Sequence, residues 1–231
     1  MAYGLIAIID KSSGWDGHGV DGPGTAAALA HQLRYHVQAS YRATSAPVIY
    51  YGPHDGLVPA GAWPIYILDD PDVAGALGYH DVDPQGRPYG RVFVKPSEDN
   101  GISVSSVLSH EVIEAFVDPW ANLWADGVHG SSIAFEACDP VESSSYKING
   151  VEVSNFVTRD WFDPQSSSGR YDWLKHLAAP MTLEAGGYEI VMRDGAVSQK
   201  FADDYPAWRL ALKQAPQPSR TLWRTVRVDF A

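Results

Sequence analysis

Short apolar runs broken by turn residues fill much of the first hundred positions, with one long helical pattern among them. Residues 3–10 (YGLIAIID) are apolar and close on a polar end, the pattern of a buried strand. Residues 11–24 are rich in Gly, Ser and Asp and read as a loop. In the stretch TAAALAHQLRYHVQASY that follows, Leu29, Leu33, Val37 and Tyr41 recur four apart and share one helical face, with Thr25 as the expected N-cap. PVIYYG (47–52), PIYILDD (64–70) and RVFVK (91–95) read as strands, and residues 79–90 carry turn signals. The predicted order is therefore strand, helix and three strands.

From Ser103 to Val117 the pattern is helical again. Val104, Val107, Leu108, Val112, Ala115 and Phe116 cover a broad apolar face, and Asp118-Pro119 ends the element because the residue before proline is pushed out of the α region. Residues 120–175, dense in Trp, Asp, Gly and Ser, read as loop-rich. GGYEIVMRDGAVSQKF (186–201) reads as a hairpin around Asp194-Gly195. The tail carries Trp208, Trp223 and the arginines Arg220, Arg224 and Arg227, which are expected to pair with an acidic surface. The predicted class is α/β (α+β): a mixed sheet with a long N-terminal helix and a buried second helix over residues 1–180, and a β-rich extension, residues 181–231, packed on it.

Composition narrows the function. Of 231 residues, 45% are hydrophobic and 19% charged, the balance of a folded globular chain. The net charge of −11 disfavours nucleic acid and anionic membranes as partners. A lone cysteine, Cys138, excludes an internal disulfide and a multi-cysteine metal site. No basic leader and no apolar run of about 18–20 residues is visible, so a soluble chain without a signal peptide is expected and the compartment stays open.

The segment Ser109-His110-Glu111-Val112-Ile113-Glu114 carries the chemistry. Positions i and i+4 lie on one helical face, so His110 and Glu114 can grip one cation together. Glu111, turned by about 100°, stands where it can hold a water. This is the geometry of the HExxH zinc helix with its second histidine replaced by glutamate. A surface hydrogen-bonded pair has the same spacing, but this helix is apolar over most of its circumference, and buried His and Glu need partners. A catalytic ion commonly takes three protein ligands plus water, so a third must come from elsewhere. Asp118 is one choice, although a straight helix would set its Cα about 12 Å along the axis from that of His110.

HEVIEAFVDP followed by FEACDP (135–140), with Trp161-Phe162-Asp163-Pro164 further on, resembles the HExxE-type zincin-like proteins of bacteria and fungi. It is more distantly similar to the plant phosphate-induced, EXORDIUM-like proteins. The resemblance implies a zincin-like fold, with a zinc ion and water-activating hydrolysis of peptide bonds. By comparison with thermolysin-like peptidases it implies Glu136 as the third ligand, with Asp139 as an outer acid or as the rival ligand. Glu111 would be the general base, and Tyr146 or His129 the oxyanion donor. The chain departs from those peptidases in lacking HExxH and the HExxHxxGxxH extension. Two carboxylates cancel the charge of the ion, which makes its water less acidic than in an all-histidine site and also admits Ca²⁺ or Mn²⁺. The partner is then a peptide or protein substrate. The alternative is a non-catalytic structural or binding protein, such as a virion or assembly component held by neighbouring subunits.

Other motifs are weaker. Gly17-His18-Gly19-Val20-Asp21-Gly22 matches GxGxxG but lacks an acidic residue about 20 positions on, and reads as a loop. Cys138, beside Glu136 and Asp139, reads as buried filler. His31, His36, His54, His80 and His176 show no ligand spacing, although His80 could approach a metal from the strand region.

Overall fold

The computed structural model describes residues 4–15, 20–44, 46–73, 75–205, 207 and 226–227. The chain is mixed α and β, with three sheets. The first sheet runs β2-β1-β3-β5-β4, from β1 (Ile6–Asp10), β2 (Val48–Tyr51), β3 (Trp63–Leu68), β4 (Gly78–Val82) and β5 (Pro88–Phe93). Its first four members are parallel and β4 lies antiparallel to β5 at the edge. Every residue of β1 is buried, as expected of a central parallel strand covered on both faces.

The first helix begins earlier than the sequence pattern implies. It is α1 (Gly22–Gln32), capped by Asp21, whose carboxylate accepts from the Gly24 amide at 2.9 Å. Thr25 is therefore inside the helix, buried, and not its N-cap. The rod continues through a π-helical segment, Leu33–Val37, into α2 (Gln38–Tyr41). Leu29, Leu33, Val37 and Tyr41 are all buried, the face that the four-residue spacing marks.

Two further corrections fall before residue 100. Residues 78–82 form the edge strand β4 inside the segment read as turns, and the turn itself is confined to Asp83–Arg87. The strand read over 91–95 ends at Phe93, after which the chain turns into α3 (Val94–Asp99).

The second long helix, α4 (Val104–Val117), packs against β4, β5 and β9 (Val151–Ser154). Leu108, Val112, Ile113 and Phe116 are fully buried, each stabilising the fold by about 1.5–3 kcal/mol relative to exposure. A buried polar joint fixes its rotation. Ser109 Oγ donates to Gln32 Oε1 at 2.8 Å and accepts from the Ser154 amide at 3.0 Å, while Gln32 Nε2 donates to Ser154 O at 2.9 Å. The helix stops at Asp118, as the following proline requires.

The segment read as loop-rich contains β6 (Leu123–Asp126), β7 (Ser132–Ala134) and the hairpin of β8 (Ser145–Ile148) with β9. These strands are three or four residues long, too short for a period-two pattern to show. The hairpin around Asp194-Gly195 is present as β10 (Tyr188–Arg193) and β11 (Ala196–Phe201), both turn residues having positive φ. It continues the sheet of β6 and β7 in the order β11-β10-β7-β6-β12, β12 being Val226–Arg227. Trp208, Arg220, Trp223 and Arg224 lie outside the described residues, as do residues 17–19 of the GxGxxG match. Among the described residues no helix is long and apolar enough to cross a membrane.

Candidate metal centre

α4 sets His110 and Glu114 one turn apart, with His110 Nε2 3.2 Å from Glu114 Oε1. A tetrahedral ion bound at about 2.0–2.2 Å holds neighbouring ligand atoms about 3.3–3.6 Å apart, so this pair is already at coordination spacing. The third group at that distance is Asp139, with Oδ1 3.3 Å from His110 Nε2. Asp139 opens the 3₁₀ turn Asp139–Val141, and the Cys138 amide just before it donates to Glu114 Oε1 at 3.1 Å. That bond locks the FEACDP segment onto the helix. One ligand atom from each of His110, Glu114 and Asp139 lies within 4.8 Å of the others.

A second histidine enters from the sheet. His80, on β4, is fully buried, and its Nδ1 faces Glu114 Oε2 at 3.5 Å and Glu111 Oε2 at 3.8 Å. His80, Glu111 and Glu114 meet the same 4.8 Å criterion. The other ring nitrogen, Nε2, faces Glu136 Oε2 at 3.9 Å. Glu136 thus stands on the far side of His80, whereas Asp139 stands against His110.

Six titratable side chains are gathered here, four of them carboxylates. Glu111, Glu114, Glu136 and Asp139 are each at most 4% exposed, and His110 is the most open, its side chain 13% exposed. Glu111 Oε2 has no hydrogen-bond partner among the described residues. Burial alone would push the His110 pKa down. The Glu114 charge and the hydrogen bonds to Asp139 and Glu114 outweigh it and hold His110 well above its ordinary value. Burial likewise pushes Glu114 up, but His110 first and then His80 hold its carboxyl well below the usual range.

The remaining candidates have other occupations. The Asp118 carboxylate accepts from the amides of Asn122 at 3.0 Å and Leu123 at 2.9 Å, closing the chain after α4. The Tyr146 hydroxyl accepts from Gln32 Nε2 and lies 2.8 Å from His36 Nδ1. His129 is exposed in a turn with φ 54°. Cys138 is fully buried, and that burial together with Glu114 raises its thiol well above the ordinary value, which suits filler and not a nucleophile.

Comparison with known protein families, with curated proteins and with solved structures gives no match for this chain. His80 is the residue whose position the sequence signals least. It sits in a turn-dense stretch, and antiparallel pairing of β4 on β5, with His80 opposite Gly90, is what carries it to the helix.

Proposed function

We propose that the chain is a metal-dependent hydrolase of zincin-like type acting on peptide bonds. The observation that carries this reading is the coordination spacing of His110, Glu114 and Asp139, at 3.2 and 3.3 Å, beside a buried carboxylate whose outer oxygen is an open acceptor. The resemblance of the HExxE segment to zincin-like proteins supports it, as do the mixed sheet, the long first helix and the buried second helix. Zinc fits one imidazole and two carboxylates, and the same donors accept Mn²⁺.

His110, Glu114 and Asp139 would hold the ion, which when bound acidifies water and polarises a carbonyl. Glu111 follows His110 in the helix, and its Oε2 takes the proton of the attacking water and returns it to the leaving amine. The low exposure of the surrounding groups keeps competing water out and strengthens each charge interaction.

The same burial favours a second reading, an ion that clamps α4 to the 139–141 turn without turnover. One experiment separates the two. Zinc-loaded protein and Glu111→Gln are compared for metal content and for hydrolysis of a mixed peptide library. Hydrolysis by the parent, lost in the variant with an ion still bound, supports the enzyme. Bound metal with no hydrolysis in either leaves the clamp, and no metal in the parent removes both.

A further inference from the structure

A second set of ligand atoms stands beside the first, one from each of His80, Glu111 and Glu114, all within 4.8 Å of one another. Among the described residues Glu111 and Glu114 find imidazoles as their ionic partners, not lysine or arginine. His80 faces Glu114, Glu111 and Glu136 at 3.5, 3.8 and 3.9 Å. The first two lie within a few tenths of an ångström of the edge of a coordination polyhedron, about 3.3–3.6 Å.

Glu114 faces both histidines with different oxygens, Oε1 towards His110 and Oε2 towards His80. A carboxylate so placed is a bridge. Glu111 Oε2, buried and without a hydrogen-bond partner, is aimed at the same place as His80 Nδ1. Glu136 lies behind His80, where an outer carboxylate orients a metal-bound imidazole by its second nitrogen.

We infer that the centre holds two divalent cations bridged by Glu114, the second bound by His80, Glu111 and Glu114. This rests on the reading of His110, Glu114 and Asp139 as the first cation position. In this arrangement Glu111 Oε2 is a ligand of the second ion, and it takes the proton of the attacking water only when that position is empty. The donor set, one imidazole and two carboxylates at each position, suits Zn²⁺ or Mn²⁺.

The test uses the full chain, stripped with chelator, dialysed against Zn²⁺ or Mn²⁺ and analysed for metal per chain. Two ions per chain are expected in the parent and one in His80→Asn, whose fold is checked by circular dichroism. One ion in the parent, or two in His80→Asn, overturns the second position alone. No ion in the parent overturns the first position, and this inference with it. An independent readout covers a variant that fails to fold. The Mn²⁺-loaded parent should give the electron paramagnetic resonance spectrum of an exchange-coupled pair, and isolated six-line signals would overturn the bridge.

Discussion

His80 Nδ1 stands 3.5 Å from Glu114 Oε2, joining an edge strand to the HExxE helix through one carboxylate. The other oxygen of Glu114 faces His110 at 3.2 Å and accepts from the Cys138 amide. Three separate parts of the chain, β4, α4 and the turn after Ala137, therefore meet at a single side chain. Glu114→Gln keeps the shape but removes the charge and turns one oxygen into a donor. Metal affinity, measured by titration of chelator-stripped protein, should fall by about 100-fold or more. An unchanged affinity would remove Glu114 from the ligand set.

Gly78 controls the position of Glu111. A Cβ at this position would lie 2.8 Å from Glu111 Oε1, 2.9 Å from Val107 Cγ1 and 3.0 Å from the Arg91 carbonyl oxygen. The glutamate can swing away, but the backbone oxygen across the strand pair cannot. Gly78→Ala should cost about 1–3 kcal/mol by overpacking, read from the denaturant midpoint. Hydrolysis should fall at least tenfold as Glu111 is displaced, with the His110-bound ion retained.

Ser109 ties α4 to its surroundings through the side chain of Gln32 and the backbone of Ser154. Ser109→Ala strands the Gln32 carbonyl oxygen and the Ser154 amide in a dry joint. The expected loss is about 1–3 kcal/mol of unfolding free energy, because unmet buried polar groups keep their desolvation cost. A smaller loss in urea unfolding, within a few tenths of the parent, would show that water enters the joint.

What the sequence discloses of this site follows from how local each relationship is. His110 and Glu114 are related by helix geometry alone, so their spacing is legible without any tertiary information. The choice between Glu136 and Asp139 depends on a 3₁₀ turn that puts Asp139 against His110 and sends Glu136 towards His80, and no periodicity encodes that. His80 arrives through the pairing of a five-residue strand hidden among turn residues. The hairpin at Asp194-Gly195 was readable from its turn residues and longer arms. β6 and β7 were not, since neither exceeds four residues.

His36 gives a pH dependence away from the candidate metal centre. Burial first, and then the neighbouring His31, lower its pKa from the ordinary value of 6.5. Its Nδ1 lies 2.8 Å from the Tyr146 hydroxyl and its ring stacks on Trp173 with centroids 4.2 Å apart. A depressed histidine takes up its proton in the unfolded chain first. The stability linked to neutral His36 is therefore complete above about pH 6.5 and is lost as pH falls through the lower folded value. Melting temperature recorded from pH 8 to pH 5 should decline less steeply in His36→Gln than in the parent. Parallel curves would contradict this assignment.

Asp118 separates a structural carboxylate from a ligand. Both of its oxygens accept from backbone amides, those of Asn122 and Leu123, where the chain leaves α4. Its place eight residues after His110 made it a rival for the ion, and the proline that ends the helix could have turned it inward. It is turned instead towards the start of β6, closing the exit of the metal helix. Asp118→Ala leaves two half-buried amides without their acceptor and should lower unfolding free energy by about 1 kcal/mol. Metal per chain should be unchanged, because the ion-facing groups of His110, Glu114 and Asp139 lie upstream and downstream of the closed turn. A loss of metal from a variant that remains folded would return Asp118 to the ligand set and displace Asp139.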